Sequence, residues 1–312
     1  MLTHYTTTHI TGTATDIGGG AIGLYGKENQ DKSIVDNEDE ITCILDGHGI
    51  HCGIIAEQIK NLFTTRLSEK DFLDDLQNDP VQILHLLFSE AHSTLISFDR
   101  GGTTCTLTVI INEKLYIANV GDSTCIVFDK DGNLIAKSVD HDPLNREEIS
   151  RIEESSNSDT GLFFARTNVS VVDYDLNNPK KIKELIDKGR TNKSVSGEWA
   201  SIIRSKKNPS NSLAMTRSLG DNYMTSLGVI HVPTIQVFDL THYPKYCIVN
   251  CTDGVWDNWK LEDLKDFVMN LIVQGKTPQK IANLLILENE SRGKHNFRDA
   301  RDNATAVVFV KK

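Results

Sequence analysis

The chain has 312 residues, of which 39% are hydrophobic and 24% are charged, a composition typical of a globular protein with a substantial core. Its formal net charge of −10 argues against a general nucleic-acid binder, because such proteins normally present a basic surface. No apolar run approaches the roughly 20 residues that span a bilayer, and the N-terminal residues lack the pattern of a secretory signal. We therefore expect neither a nucleic acid nor a membrane among its partners.

Six cysteines are present, mostly within apolar, strand-like runs, and none forms a CxxC pair. Buried, reduced thiols are favoured over disulfides in this setting, and reduced thiols are typical of intracellular proteins. We therefore expect a cytoplasmic location. The sequence contains no internal repeat and no coiled coil, and we expect a monomer.

Apolar patterns divide the sequence into short strands and longer helices. The patterns that predict strands lie at residues 3–14, 41–45, 101–111, 114–128, 228–231, 234–240, 246–250 and 304–310. Those that predict helices lie at residues 51–67, 80–97, 145–154, 261–273 and 278–287. Residues 101–111 and 114–128 predict an antiparallel pair with a turn between them. Because many short strands occur with two pairs of long helices and no βαβ alternation, we expect an α+β fold with antiparallel sheets.

Four apolar, strand-like runs, at residues 41–45, 114–120, 246–250 and 304–310, carry an aspartate at or beside one end: Asp46, Asp122, Asp253 and Asp302. If these strands lie side by side, their carboxylates converge, and each like-charge pair at about 4 Å costs roughly 4 kcal/mol at an effective dielectric near 20. A divalent cation would remove this repulsion. Oxygen ligands without paired cysteines or histidines point to Mg²⁺ or Mn²⁺ rather than to zinc.

The strand at 41–45 ends in Asp46-Gly47-His48-Gly49, just before a predicted helix. A carboxylate at the end of a buried strand needs a positive partner, and the glycines allow a backbone carbonyl to approach the same partner closely. His48 adds an imidazole. This combination favours an active-site corner, although an Asp-Gly pair alone is equally typical of a tight turn.

Eight short stretches, spread over nearly the whole chain, carry a resemblance to a known family. They are Asn29-Gln30-Asp31, Asp46-Gly47-His48-Gly49, Gly101-Gly102-Thr103-Thr104, Ala118-Asn119-Val120-Gly121-Asp122-Ser123, Asp140-His141-Asp142-Pro143, Ser212-Leu213-Ala214-Met215-Thr216-Arg217-Ser218-Leu219-Gly220-Asp221, Thr252-Asp253-Gly254-Val255-Trp256-Asp257 and Arg301-Asp302-Asn303. In this order they resemble the metal-dependent protein phosphatases of type 2C, the PPM family of serine/threonine phosphatases. The resemblance implies a four-layer α-β-β-α sandwich, in which two antiparallel sheets are flanked by helix pairs and metal ions lie in a cleft at one edge.

The resemblance also implies how two ions of Mn²⁺ or Mg²⁺ would be held. Asp46 would bridge both ions, Asp253 and Asp302 would complete the first, and the Gly47 carbonyl would serve the second. Asp31 would hold metal-bound waters. Two such ions acidify a water, which would attack the phosphorus of a phosphoprotein substrate in line. His48 is then the candidate acid for the departing serine or threonine oxygen.

Other matched positions bear on a third ion and on the substrate phosphate. Asp140 and Asp257 would contribute to a third, weaker ion, although Asp140 is equally typical of a turn or a cap. Lys27 lies near the position of the family's phosphate-binding arginine, but a lysine is a point charge rather than a planar fork. Gln30 replaces a glutamate that helps to hold the second ion, and an amide offers only a neutral oxygen. These departures leave open the alternative of a weakly active or inactive phosphatase-fold module with an interaction or regulatory role.

Residues 155–210 are the part of the sequence least like the family. We interpret residues 1–312 as a single phosphatase-like domain and 155–210 as an extended flap insertion within it, because most relatives have a short flap here. The insertion contains ten Lys or Arg against six Asp or Glu. A solvated surface insertion and a basic flap that steers acidic phosphopeptides are both compatible with this charge.

Overall fold

The strands form antiparallel sheets in the computed structural model, which describes residues 9–16, 29–38, 40–155, 157–166, 170–173, 199–296 and 302–311. The strands are β1 His9–Asp16, β2 Asp31–Asp36, β3 Ile41–His48, β4 Gly102–Thr103, β5 Cys105–Ile111, β6 Lys114–Val120, β7 Thr124–Asp129, β8 Leu134–Lys137, β9 Thr160–Arg166, β10 Ser170–Asp173, β11 Trp199–Ser205, β12 Ser212–Leu213, β13 Leu219–Gly220, β14 Thr234–Asp239, β15 Tyr246–Cys251 and β16 Ala304–Lys311. The α-helices are α1 Cys52–Ser68, α2 Lys70–Asn78, α3 Pro80–Ser93, α4 Arg146–Glu154, α5 Asp253–Trp256, α6 Leu261–Val273 and α7 Pro278–Asn296.

The first sheet has the strand order β13-β4-β3-β5-β6-β14, with β2 paired to β3. Alternate residues of β3, beginning with Ile41 and Cys43, point into a core shared with helices α1 and α3. Helix α1 contributes Ile55, Ile59 and Phe63, which are spaced four residues apart and therefore lie on one face. Apolar side chains recur every two residues in the strand and about every four residues in the helix. Each element therefore has one apolar face, and the two faces pack against each other.

The second sheet has the order β1-β16-β15-β7-β8 and is covered by α6 and α7. Val249 of β15 and Val308 of β16 face a cluster that contains Leu264 and Val268 of α6. A separate buried cluster, which includes Ile117 of β6 together with strand residues of the second sheet, fills the space between the sheets. The order helix, sheet, sheet, helix confirms the expected four-layer α+β sandwich.

A turn at Gly121 moves the chain from the first sheet to the second. Residues 105–111 and 114–120 form the expected hairpin, but the prediction of one strand over residues 114–128 is wrong, because β6 and β7 belong to different sheets. Gly121 has φ of 102°, and a Cβ there would lie 2.6 Å from the Thr104 side chain. Glycine is therefore required at the point where the chain changes sheets.

Several other predictions can be compared with the described residues. Helix α6 has the predicted bounds, and Asn145 caps α4 by accepting a hydrogen bond from the Glu147 amide at 3.0 Å. The predicted strand at 228–231 is wrong, because Gly228 has φ of 100° and pairing there is limited to one bridge between Arg217 and Ile230. Helix α2 was not predicted. None of the helices in the described ranges is long and apolar enough to cross a membrane.

A third sheet, with the order β10-β9-β11-β12, lies within the predicted insertion and its return. Leu162 of β9 and Ile203 of β11 share a small buried cluster with Ile149 and Ile152 of α4. The division into one domain with a flap at 155–210 stays a prediction.

Candidate active site

Acidic side chains from both main sheets meet at one edge of the sandwich. Asp31 at the start of β2 lies directly opposite Asp46 of β3. Asp253 follows β15 as the first residue of α5, and Asp302 comes just before β16. Asp302 itself is exposed, but its charge acts on both Asp31 and Asp46. Strands that are distant in sequence thus place four carboxylates within electrostatic range of one another.

The surroundings of Asp31, Asp46 and Asp122 at this edge raise the pKa of each carboxyl group. Burial, reinforced by the charges of Asp253, Asp31 and Asp302, holds the pKa of Asp46 well above its usual range. Burial also raises the pKa of Asp31 to about 7 and that of Asp122 to about 8, and the charge of Asp253 acts in the same direction on both. Without a cation, the cluster therefore binds protons at neutral pH.

The donor atoms of the cluster suit a hard divalent cation. One carboxylate oxygen, Oδ1, of each of Asp31, Asp122 and Asp253 is shielded from solvent and has no hydrogen-bond partner. Unsatisfied carboxylate oxygens are the ligands that Mg²⁺ and Mn²⁺ prefer. Among the described residues, no three or more His, Cys, Asp or Glu side chains are arranged as a ready metal site. The donor set fits such an ion, but the side chains do not form a closed ligand set.

Hydrogen bonds connect the strands and loops that form the site. The Gly47 amide donates to the Gln30 carbonyl at 3.3 Å, and the Gln30 amide donates to Asn303 Oδ1 at 2.9 Å. The Thr252 hydroxyl donates to Asp31 Oδ2 at 2.9 Å. A Cβ on Gly47 would lie 2.5 Å from the carbonyl oxygen of Cys52, so the close approach of β3 to α1 requires glycine at position 47.

His48 is held by a buried aspartate that is distant in sequence. Its Nε2 lies 2.5 Å from Asp221 Oδ2, and the Ser218 hydroxyl donates to the same oxygen at 2.7 Å. Although burial lowers the pKa of His48, the charge and the hydrogen bond of Asp221 raise it by more, so the pKa lies above its usual value. The other ring nitrogen, Nδ1, is shielded and has no hydrogen-bond partner. Asp221 thus fixes the ring through Nε2, and Nδ1 is a buried polar atom whose hydrogen-bonding capacity is not used within the described residues.

Gly102 of β4 makes room for this pair. A Cβ there would lie 2.3 Å from Asp221 Oδ2 and 2.5 Å from Ser218 Oγ. Neither Asp221 nor Ser218 is predicted from the sequence to have a chemical role. The available signal was another Gly-Asp pair at a strand end, but β13 has only two residues and lacks the apolar run that marked the other four strands.

The remaining predicted residues lie at the margin of the site or outside the described ranges. Asp140 accepts a hydrogen bond from the Thr124 hydroxyl at 2.7 Å and forms an ion pair with Lys137 at 2.9 Å, which agrees with its alternative interpretation as a turn residue. Asp257 caps α5, and its amide donates to the Asp253 carbonyl at 2.7 Å. Lys27 lies outside the described residues.

Comparisons with known proteins show what the chain is similar to. The family model described as Protein phosphatase 2C matches residues 20–296. The chain is 28% identical over 276 residues to "Protein phosphatase 1L" of Bos taurus, a match that covers 85% of this chain and 62% of that protein.

Solved structures resemble the whole described fold. A serine-threonine phosphatase 2C from Toxoplasma gondii has a TM-score of 0.63 at 18% identity, covering 97% of this chain and 94% of that one. The catalytic domain of the serine threonine protein phosphatase PstP, in complex with two manganese ions, has a TM-score of 0.57 at 16% identity, covering 97% and 99% of the two chains. At these identities the likeness shows the fold.

Proposed function

Because the chain belongs to the protein phosphatase 2C family, we propose that it hydrolyses phosphoserine and phosphothreonine in phosphoprotein substrates. The observation that carries the proposal is the meeting of strand-end carboxylates from two sheets beside His48, whose Nε2 is bound to the Asp221 carboxylate. The alternative of an inactive module is not favoured. Asp46, Asp253 and Asp302 are all present, and the charges of Asp253 and Asp302 raise the pKa of Asp46, so the three carboxyl groups lie within electrostatic range.

The proposal includes two ions of Mn²⁺ or Mg²⁺. Asp46, Asp253, Asp302 and the Gly47 carbonyl would hold them, and Asp31 would orient water. Such ions, when bound, supply an activated water nucleophile and neutralise the charge of the phosphate. We do not extend the proposal to a third ion, because Asp140 already pairs with Lys137 and Thr124.

The chain's own residues would handle the leaving group. Asp221 binds Nε2 of His48 and thereby fixes the ring, and the Nδ1–H would donate to the departing serine or threonine oxygen when substrate reaches it. Ser218 donates to Asp221 and keeps that carboxylate oriented. His48 would accordingly be the general acid, with Asp221 as its positioning residue.

Three further parts of the proposal concern phosphate, location and assembly. Lys27 remains the proposed contact to the substrate phosphate. A cytoplasmic location is supported by the six cysteines, all of which are buried free thiols. The monomeric state stays a prediction.

A metal-dependence assay on a phosphothreonine peptide tests the function. Turnover should require added Mn²⁺ or Mg²⁺ and should disappear in excess EDTA. Asp46→Asn should lose turnover, whereas Asp131→Asn, which changes an exposed carboxylate in a hairpin, should keep it. Full turnover in excess chelator, or wild-type turnover by the Asp46 variant, would contradict the proposal.

A further inference from the structure

A cavity of about 290 Å³ lies at the ends of β15 and β16 that are opposite the acidic site. Strand β15 enters the cavity wall at Tyr246 and reaches Asp253 seven residues later. Because a strand rises about 3.3 Å per residue, the cavity and the acidic site are roughly 20 Å apart. The cavity is therefore separate from the site described above.

The inner wall of the cavity is apolar. Cys247 of β15 and Val310 of β16 are buried there, and Met269 and Ile272 of α6 pack over them. Ligand pockets in proteins begin at about 300 Å³, so this volume suits a small ligand with one or two rings or a short alkyl chain.

The rim of the cavity is basic, although the chain as a whole carries a net charge of −10. Four lysines line it: Lys130, Lys245, Lys276 and Lys311. Lys130 pairs with Asp131 at 2.6 Å and Lys311 pairs with Glu40 at 2.8 Å. In the described part of the chain, Lys245 and Lys276 have no ion pair.

The acidic residue in the lining, Asp129, forms no ion pair with either of these two lysines in the described part of the chain. Its carboxylate accepts hydrogen bonds from the side chain and amide of Asn133 and from the Asp131 amide, all within its own hairpin. Two exposed ammonium groups thus lie beside an apolar cavity without a carboxylate partner. A ligand that satisfies both features must be anionic at one end and apolar at the other.

We propose that this cavity binds a small amphipathic anion, in which a carboxylate, sulfonate or phosphate group is attached to a short apolar body. Lys245 and Lys276 contact the anionic group. The apolar body lies against Met269, Ile272 and Val310.

The probe 8-anilinonaphthalene-1-sulfonate has this chemistry, and its fluorescence rises in an apolar environment. Titrated into the whole chain, it should bind at one site with a blue-shifted emission. Lys245→Glu and Lys276→Glu should each weaken binding by at least about ten-fold, because reversing the charge replaces attraction by repulsion. Lys280→Glu makes the same charge change on an exposed position of α7 outside the cavity and should bind the probe like wild type.

Two further probes separate the features of the cavity. Inorganic phosphate, an anion without an apolar body, and N-phenyl-1-naphthylamine, an apolar body without a charge, should each fail to displace the sulfonate probe at comparable concentration. Since the two sites are separate, the probe at saturation should leave the KM for p-nitrophenyl phosphate unchanged.

Four results would overturn the proposal. They are the absence of probe binding, equal affinity in folded cavity variants and wild type, an equal loss in Lys280→Glu, and competition between the probe and p-nitrophenyl phosphate. Circular dichroism and melting curves verify that each variant folds. Failure here would leave the phosphatase proposal intact, since turnover is measured separately.

Discussion

His48 and Asp221 show how much of the proposed chemistry depends on a single contact. The two residues are 173 positions apart, yet their side chains lie 2.5 Å apart because β4 and β13 pair beside the end of β3. His48 could be selected from sequence because it follows a strand-end Asp-Gly. Asp221 could not, because local patterns do not record which distant loop returns to that strand end.

Removing the acid should affect substrates according to their leaving groups. His48→Ala and Asp221→Asn should both slow hydrolysis of a phosphothreonine peptide more than that of p-nitrophenyl phosphate. An alkoxide needs a proton to depart whereas p-nitrophenolate does not, and general acid catalysis typically contributes ~10²–10⁴-fold. Steady-state rates on both substrates measure the difference.

Ser218→Ala is the matched control for this experiment. It removes one hydrogen bond to Asp221 but keeps the carboxylate that binds His48, so its effect on the phosphothreonine peptide should be smaller. Equal losses on both substrates for His48→Ala would exclude the acid role.

Gln30 is the residue at which the resemblance implies a departure from the family's metal shell. Its backbone contacts Gly47 and Asn303, both at the site. A carboxylate there would add a Coulomb attraction of roughly 4 kcal/mol at about 4 Å and an effective dielectric near 20, before desolvation is subtracted. Gln30→Glu should therefore lower the Mn²⁺ concentration for half-maximal turnover several-fold. Superimposable metal titrations of wild type and variant would place the Gln30 side chain outside the metal shell.

At the scale of elements, ion pairs and hydrogen bonds connect helix α4 to the segment that contains Ser218 and Asp221. Buried Glu148 of α4 pairs with Arg217 at 2.6 Å and with Arg151 at 2.7 Å, and it accepts a hydrogen bond from Thr216. Burial alone would raise the pKa of Glu148, but hydrogen bonds from Arg217, Arg151 and Thr216 lower this pKa to about 2. Glu148 therefore stabilises the fold while it is charged.

This pKa predicts how stability changes in acid. Because the folded pKa lies below the ordinary value of 4.5, the stabilisation is fully present above about pH 4.5 and is lost as the pH falls towards 2. The shift corresponds to at most about 3 kcal/mol.

The free energy of unfolding in urea should thus fall more steeply between pH 5 and pH 2 in wild type than in Glu148→Gln. Glu147→Gln changes the exposed neighbour and should follow wild type. Parallel curves for wild type and Glu148→Gln would refute this role.

The elements that could be predicted from sequence are those whose own periodicity determines their packing. Strand β3 alternates apolar residues and α6 has a helical apolar stripe, so both were located correctly. The sequence shows Gly121-Asp122 between β6 and β7, but it does not show that these two strands belong to different sheets. The apolar pattern continues on both sides of the turn and carries no information about the sheet to which each strand belongs. In the predicted strand at 228–231, Val229 is buried because it packs with Met224 and Leu227 of the 3₁₀ segment at Asn222–Leu227, not because it belongs to a strand.

At the scale of the whole molecule, the acidic cluster opposes the packing of the two sheets unless a cation is present. Mn²⁺ should therefore raise the melting temperature of the wild-type protein. At a concentration ~100 times its dissociation constant, an ion bound only to the folded state adds about 2.7 kcal/mol. Differential scanning fluorimetry with and without metal measures this effect.

In the same experiment, Asp46→Asn distinguishes the charge repulsion within the acidic cluster from the binding of Mn²⁺. In EDTA it should melt above wild type, because a neutral amide replaces a carboxyl group whose charged form is disfavoured. With Mn²⁺ its melting temperature should change little. A wild-type melting temperature that does not respond to metal would contradict the proposed ion sites.

Strand β16 has a consequence for the order in which the molecule can become active. It pairs with β1 on one side and with β15 on the other, and Asp302 lies two residues before its first residue, Ala304. During synthesis, residues 9–16 must therefore wait for residues 304–311 before their hydrogen bonds can form, and pairing over such a separation is slow. Until then the nascent chain has an incomplete second sheet and lacks one of its proposed metal ligands. A chain truncated after residue 296 should show no cooperative melting transition and no response to Mn²⁺, so the proposed metal site would be complete only once residues 304–311 have paired with both neighbouring strands.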